Sequence, residues 1–217
     1  DLPSASRYAI PEQGHAPSSR SLLWRYVADG LPVGSRRLRS CRHLKGDGMK
    51  ITSDWHIHSQ NSYDSACMTI TDLVREAREK GITDFGVTDH LNTPYNLPDI
   101  ARSRQEYLSV APSPHFHFGV EVSCVSQWEL DEIASGRHDH PVYGLRSGGQ
   151  AGCDLAIGIT AEDLITYQIE YVVGGVHWPM YIPMERGAVI RDYHRQNMYL
   201  ATHPLVDIVA HPWWWMG

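Results

Sequence analysis

Five times along this chain a short apolar run closes on a side chain that can hold a metal ion. Residues 49–53 lead into His56 and His58, and residues 84–88 run into His90. Residues 115–123 carry Glu121, residues 171–176 end at His177, and residues 206–210 end at His211. Helical stretches separate these runs. Strand, helix and strand within about 40 residues form the βα unit of a parallel sheet, because parallel neighbours need a crossover connection. In barrels and open parallel sheets the C-terminal strand ends meet at one mouth, where sites are built. Any one of these residues alone reads as a core or rim side chain. Five in succession predict a shared centre.

The local patterns support this division. In a strand, successive side chains point to opposite faces, which places Asp54, His56 and His58 together and Trp55 with Ile57 opposite. Two imidazoles spaced about 6–7 Å along a strand can bind one divalent ion. A helix follows, with Thr71 as N-cap, Leu73, Val74 and Ala77 as its apolar stripe and Gly81 closing it. Residues 96–110 read as a helix, with Pro98 in its first turn. Residues 115–123 alternate: Phe116, Phe118, Val120 and Val122 on one face, His117, Gly119, Glu121 and Ser123 on the other. Residues 124–158 are the least regular. Their Gly-rich part, 146–152, lacks Gly-Lys-Ser/Thr and reads as a flexible loop rather than a phosphate cradle. Thr160 to Asp163 resembles a capping box, and Ile190, Tyr193, Asn197 and Leu200 share a helical face.

At 217 residues the chain can bury one substantial core, or one domain with an appendage. Its 42% hydrophobic and 20% charged residues are ordinary for a soluble protein, and it has no apolar run of 18 residues to span a membrane. Four cysteines without a Cys-x-x-Cys pair suggest reduced thiols and a cytoplasmic location. Charge divides the chain. Residues 1–48 hold eight Lys/Arg against four Asp/Glu and read as a basic, loosely structured extension. Residues 49–217 hold eleven against twenty-one and read as the domain proper. An acidic body argues against a broad nucleic-acid surface, and nucleic acid is not expected as a partner beyond nucleotide-size substrates.

The ordered set Asp54-Trp55-His56-Ile57-His58, Asp64, Thr88-Asp89-His90, Gly119-Val120-Glu121, Val176-His177 and Ala210-His211-Pro212 resembles the PHP (polymerase and histidinol phosphatase) family. The resemblance covers essentially everything outside the extension. It implies an α/β fold, a distorted (β/α)7 TIM-like barrel, holding two or three divalent ions. His56 and His58 would bind a first ion, Glu121 would bridge to a second held by His177 and His211, and Asp64 with His90 would bind a third. Asp54 would stand behind them and orient an imidazole. Mixed imidazole and carboxylate ligation suits Zn, Mn or Fe. The family closes its site with an Asp-x-His pair on a later strand, and none follows His211 here. That departure leads us to expect an incomplete C-terminal part in this chain.

The function implied is hydrolysis of phosphoesters, monoesters such as histidinol phosphate or nucleotide diesters, by a hydroxide bridging two ions. Glu121, His177 and His211 would act through that activated water. Arg186, nine residues beyond His177, is the candidate guanidinium for the phosphate. Two rivals stand beside it. Amidohydrolases also open on His-x-His, but many bridge their metals with a carboxylated lysine, and the last lysine here is Lys80. A metal-binding regulatory or scaffold module is the other. Remaining histidines read as non-ligands: His115 and His117 form a second His-x-His, with His117 structural in the barrel interior, His194 and His203 flank a helix, and His15, His43, His138 and His140 lie in solvent. Cys67 and Cys124 have no base beside them. Trp213 to Trp215 either floor a pocket or pack under a further segment.

Overall fold

In the computed structural model the described residues are 51–64, 66–110, 113–138 and 143–213. The extension over residues 1–48, His15, His43, His140, Trp214 and Trp215 lie outside them. Five parallel strands form one row in the order β1 (Ser53–Ile57), β2 (Asp84–Leu91), β3 (Phe116–Ser126), β5 (Tyr171–Gly175) and β6 (Ile208–Val209). A sixth strand, β4 (Leu155–Ile157), pairs antiparallel with the far end of β3. Helices α1 (Ile70–Lys80), α2 (Leu97–Ser109), α3 (Gln127–Ala134), α4 (Ala161–Thr166) and α5 (Arg186–Thr202) fill the connections. This is an α/β fold built on a parallel half-barrel. Seven strands are not present among the described residues.

Flat, four strand spacings would hold β1 and β6 about 19 Å apart. Yet the rings of His56 on β1 and His211 beyond β6 lie 5.7 Å apart. The sheet is therefore rolled, and its two edge strands face each other across the mouth. Small side chains permit the roll. A Cβ on Gly86 would fall 1.9 Å from the Tyr171 hydroxyl and one on Gly119 2.6 Å from its ring, which fills the barrel interior at that level and donates its hydroxyl to the Trp55 carbonyl.

The outward face of β2, β3 and β5, with Val87, Phe118, Val120, Val122 and Val172, packs on Ile70 and Leu73 of α1, Ile100 of α2 and Leu200 of α5. Helix α1 has 11 residues, too short to persist alone in water, so this burial holds it. Ile70 and Leu73 contribute about 1.5–3 kcal/mol each. Its N-cap is Thr69 rather than the expected Thr71: the Thr69 hydroxyl accepts the Asp72 N–H, and Gly81 closes the helix in the left-handed region as expected. The alternation of β3 is as the sequence predicts. On α5 the buried stripe is Val189, Asp192, Tyr193, Gln196 and Leu200, whereas Ile190 is exposed.

Two regions differ from expectation. Residues 124–158 hold the end of β3, then α3 and β4, so the chain past the sheet builds a wall above the mouth. In β1 the register steps from Asp54↔Phe85 to Ile57↔Val87, three residues against two. This bulge breaks the alternation. Asp54 and Ile57 share the outer register, while both Trp55 and His56 turn inward. Trp55 then stacks on His117 at 4.7 Å and meets Tyr171 edge-on.

Candidate metal centre

Glu121 is the hub. It lies midway along β3, paired in register with His90 of β2 and Val173 of β5, and is fully buried. Its Oε2 lies 2.9 Å from His56 Nε2, 3.1 Å from His90 Nδ1 and 3.3 Å from His58 Nε2. Its Oε1 lies 2.9 Å from His211 Nε2 and 3.2 Å from His177 Nε2. All five expected imidazoles, from four different strands, therefore surround one carboxylate. Asp64 stands one step outside, its Oδ2 3.6 Å from His90 Nε2.

The local sequence explains each placement. The bulge that aims His56 inward leaves the Ile57 peptide off the ladder, and Thr88 Oγ1 takes it up, accepting the Ile57 N–H at 3.1 Å. Asp89, buried on the outer register of β2, accepts the Ser59 N–H and, at 2.6 Å, the Ser59 hydroxyl, fixing the turn just after His58. Thr88-Asp89-His90 thus supplies the bulge's partner, the turn's anchor and a ligand in three successive residues. His177 is fixed through its other nitrogen. Ser123 Oγ donates to Asn92 Oδ1 in a short bond, so its lone pair receives His177 Nδ1–H at 2.7 Å. That tautomer turns the His177 Nε2 lone pair toward Glu121. His211 has φ of 30°, in the left-handed region, and the Tyr193 hydroxyl holds its carbonyl at 2.6 Å. Gly175 makes room: a Cβ there would fall 2.5 Å from Glu121 Oε1 and 2.9 Å from both His177 and His211.

The electrostatics favour ligation. Burial alone would raise the Glu121 carboxyl, but hydrogen bonding and charge from His177, His211 and His56 hold it far below the usual range. Burial, then the neighbouring His90 imidazole, drives His58 down to about 4. Burial also lowers His177, despite Glu121. His56 goes the other way: burial opposes it, but Glu121 raises its imidazole above the ordinary value. Partial burial would raise Asp64, yet bonds from His90 and Ser62 hold it well below the carboxylate range. An ionised carboxylate beside the lowered His58 and His177 imidazoles favours cation binding.

A fit to metal can be read from unsatisfied atoms. His56 Nε2, His90 Nδ1 and Glu121 Oε2 are buried without a hydrogen bond of acceptable geometry. Buried polar atoms are otherwise nearly always paired. Short N···O separations without a hydrogen bond mark lone pairs aimed at common points. Two sets of donors lie within 4.8 Å of one another: His56, Glu121 and His211, and His58, His90 and Glu121. These groups could hold metal ions. The partition differs from the one the resemblance implied, which grouped His56 with His58, because the rolled sheet brings His56 across to His211.

Two other expected residues sit elsewhere. Asp54, on the outer register, accepts the backbone N–H of His56 at 3.3 Å, and its charge is one of those that raise the His56 imidazole. Arg186 is exposed at the first position of α5. The guanidinium beside the site belongs to Arg146, stacked 3.9 Å over the Trp178 ring. It lines an open cavity of about 360 Å³ with Asp64, His90 and His177 at one side and Tyr63, Tyr143 and Trp178 as aromatic walls. The sequence offered signals for Ser123, two residues past Glu121 on its face, and for the Gly174-Gly175 pair. Nothing in it marks Arg146, which sits in the Gly-rich stretch that reads as a flexible loop.

The remaining histidines fall away from the centre. His117 bonds Glu170 at 2.9 Å, His138 bonds Glu132 at 3.1 Å, and His203 accepts the Leu205 N–H. His115 and His194 are exposed, as is Trp213. No helix among the described residues is long and apolar enough to cross a membrane.

Comparison with known proteins places this arrangement. No curated protein matches the chain closely enough to be named as a relative. The family model described as the PHP domain matches residues 54–211, from the strand that opens the site to the last imidazole that closes on Glu121. The chain belongs to the PHP domain family.

Proposed function

We propose that this chain is a metal-dependent hydrolase of small phosphoesters. The observation that carries this reading is Glu121, buried and ionised, with five imidazoles from four strands within 3.3 Å of its two oxygens. Two divalent ions, of Zn, Mn or Fe, would be held by His56, His211 and Glu121 and by His58, His90 and Glu121, with His177 completing the set. Asp64, beside His90, would serve a third. Bound there, such ions supply Lewis acidity toward a phosphoryl oxygen and make an acidic water available at neutral pH.

The chain's own residues do the rest. Glu121 stays ionised and offers two oxygens, Oε2 beside His56, His58 and His90 and Oε1 beside His177 and His211. Asn92 and Ser123 hold His177 in the ligating tautomer. Arg146, rather than Arg186, faces the cavity and supplies the planar fork that grips phosphoryl oxygens. Trp178 beneath that guanidinium and Tyr63 and Tyr143 across from it suit a compact phosphorylated substrate, and a cavity of about 360 Å³ is the size of one. Nucleic acid beyond nucleotide size and membranes are not partners in this reading.

Glu121→Gln tests it. The variant should lose most bound metal and about 10³-fold in hydrolysis of generic phosphomonoesters or diesters, with an unchanged far-UV spectrum. Metal content and rate equal to wild type would remove the proposal. Full metal content in wild type with no turnover of any phosphoester would favour the scaffold reading.

A further inference from the structure

One fully buried carboxylate plays no part in the centre just described. Glu129 lies in the first turn of α3, on the wall above the mouth, with no exposed surface. Its backbone N–H is capped by the Ser126 hydroxyl at 3.0 Å. In a capping box its carboxylate would turn back to the Ser126 N–H. It turns the other way instead. Oε1 accepts the Leu145 N–H at 2.6 Å, and Oε2 accepts the Tyr181 hydroxyl at 3.3 Å. Burying a carboxylate is costly unless it is bonded well, so this one is there for what it holds.

What it holds is the strap over residues 143–149. Gly144 is pressed between Glu129 and Trp178, with φ of 76°: a Cβ there would fall 2.1 Å from Glu129 Oε1 and 3.3 Å from the Trp178 ring. Gly148 approaches the Trp128 ring and Gly149 the Tyr181 ring just as closely, with a Cβ at 2.9 Å and 2.2 Å. The residue after Leu145 is Arg146, whose Nε donates to the Tyr143 carbonyl at 3.3 Å and whose guanidinium stacks on Trp178. Arg146 and Tyr143 are the two strap residues that line the cavity beside His90 and His177.

We infer that Glu129 is a positioning residue, which clamps the strap through the Leu145 amide and so sets the Arg146 guanidinium at the substrate's phosphoryl group. The assignment rests on the phosphoester reading for its ligand, but the clamp itself is tested without turnover. A guanidinium on an unclamped glycine-rich strap would lose its preorganisation, and with it substrate binding more than the chemical step.

The test uses the full chain carrying Glu129→Ala and Glu129→Gln, the latter keeping an acceptor for Leu145. Amide hydrogen exchange reads the clamp, with Val120 and Val172 in the sheet as internal standards. Inorganic phosphate binding and the kinetics of a generic phosphoester read the guanidinium. In Glu129→Ala, exchange at Leu145 should quicken about ten-fold or more, tryptic cleavage after Arg146 should accelerate, and phosphate affinity should fall about ten-fold. KM should rise by a similar factor while kcat stays within about three-fold and metal content is unchanged. Glu129→Gln should restore all of these. If Glu129→Ala does not fold, Gly144→Ala, which forces the strap off the carboxylate, should give the same shifts. An unchanged Leu145 amide, unchanged phosphate affinity with a freed strap, or failure of glutamine to rescue would each overturn the inference. Wild-type protein that neither binds phosphate nor hydrolyses esters, yet shows the exchange shift, would strike out the phosphoester reading and leave the clamp standing.

Discussion

Gly175 shows how little room the centre leaves. With no side chain it lets Glu121, His177 and His211 meet, and its absent Cβ would intrude to within 2.9 Å of all three. Gly175→Ala should therefore weaken metal binding at least about ten-fold and cost about 1–3 kcal/mol, read by metal titration and urea unfolding. A second residue-scale prediction concerns Glu129. Burial raises its folded-state value above the ordinary 4.5, partly offset by bonds from Leu145 and Tyr181. A raised carboxyl contributes stability that is fully present below the unfolded value and is lost as pH rises through the folded one. Glu129→Gln should melt higher than wild type at pH 8, and the gap should close as pH falls toward 4. A melting difference independent of pH would show that its charge carries no such cost.

The elements explain what the sequence could and could not reveal. Helix α1 and strands β2, β3 and β5 were legible because their outer faces bury apolar residues at a regular period, and periodicity survives translation into structure. The five imidazoles and Glu121 were legible because strand ends in a parallel sheet converge. The β1 bulge was not, since no residue type announces an extra position in one strand; only the partner strand reveals it. That Asp54 pairs on the outer register and Trp55 turns inward is therefore visible only in the structure. Helix α3 carries a signal in Ser126 and Glu129 three residues on, but its eight residues are too few to show a sustained apolar period, and Arg146 lies in the Gly-rich stretch beyond it. The bulge yields an element-scale prediction. Thr88→Val keeps the shape of the side chain and removes the acceptor of the Ile57 N–H. It should destabilise the protein by about 1–2 kcal/mol and lower metal affinity through His56 and His58, as seen by urea unfolding and metal titration. Unaltered stability would mean that the bulge finds its hydrogen bonds elsewhere.

At the scale of the whole domain, a rolled half-barrel brings its two edge strands together around one carboxylate, and the donors from all five parallel strands share that point. Such an arrangement gathers repulsion unless a cation is present, so metal and fold should be coupled. A ligand present at about 100 times its Kd stabilises by about 2.7 kcal/mol, and chelation should lower Tm by about 5–10 °C, reversibly on adding back Zn or Mn. The most direct test of the shared centre is elemental analysis of full-length protein purified without added metal, alongside His211→Ala. The account predicts at least about one transition-metal ion per chain in wild type, and a clear loss in the variant although His211 is 90 residues from Glu121. Metal-free wild-type protein that takes up no ion on supplementation and shows no rise in Tm would contradict it.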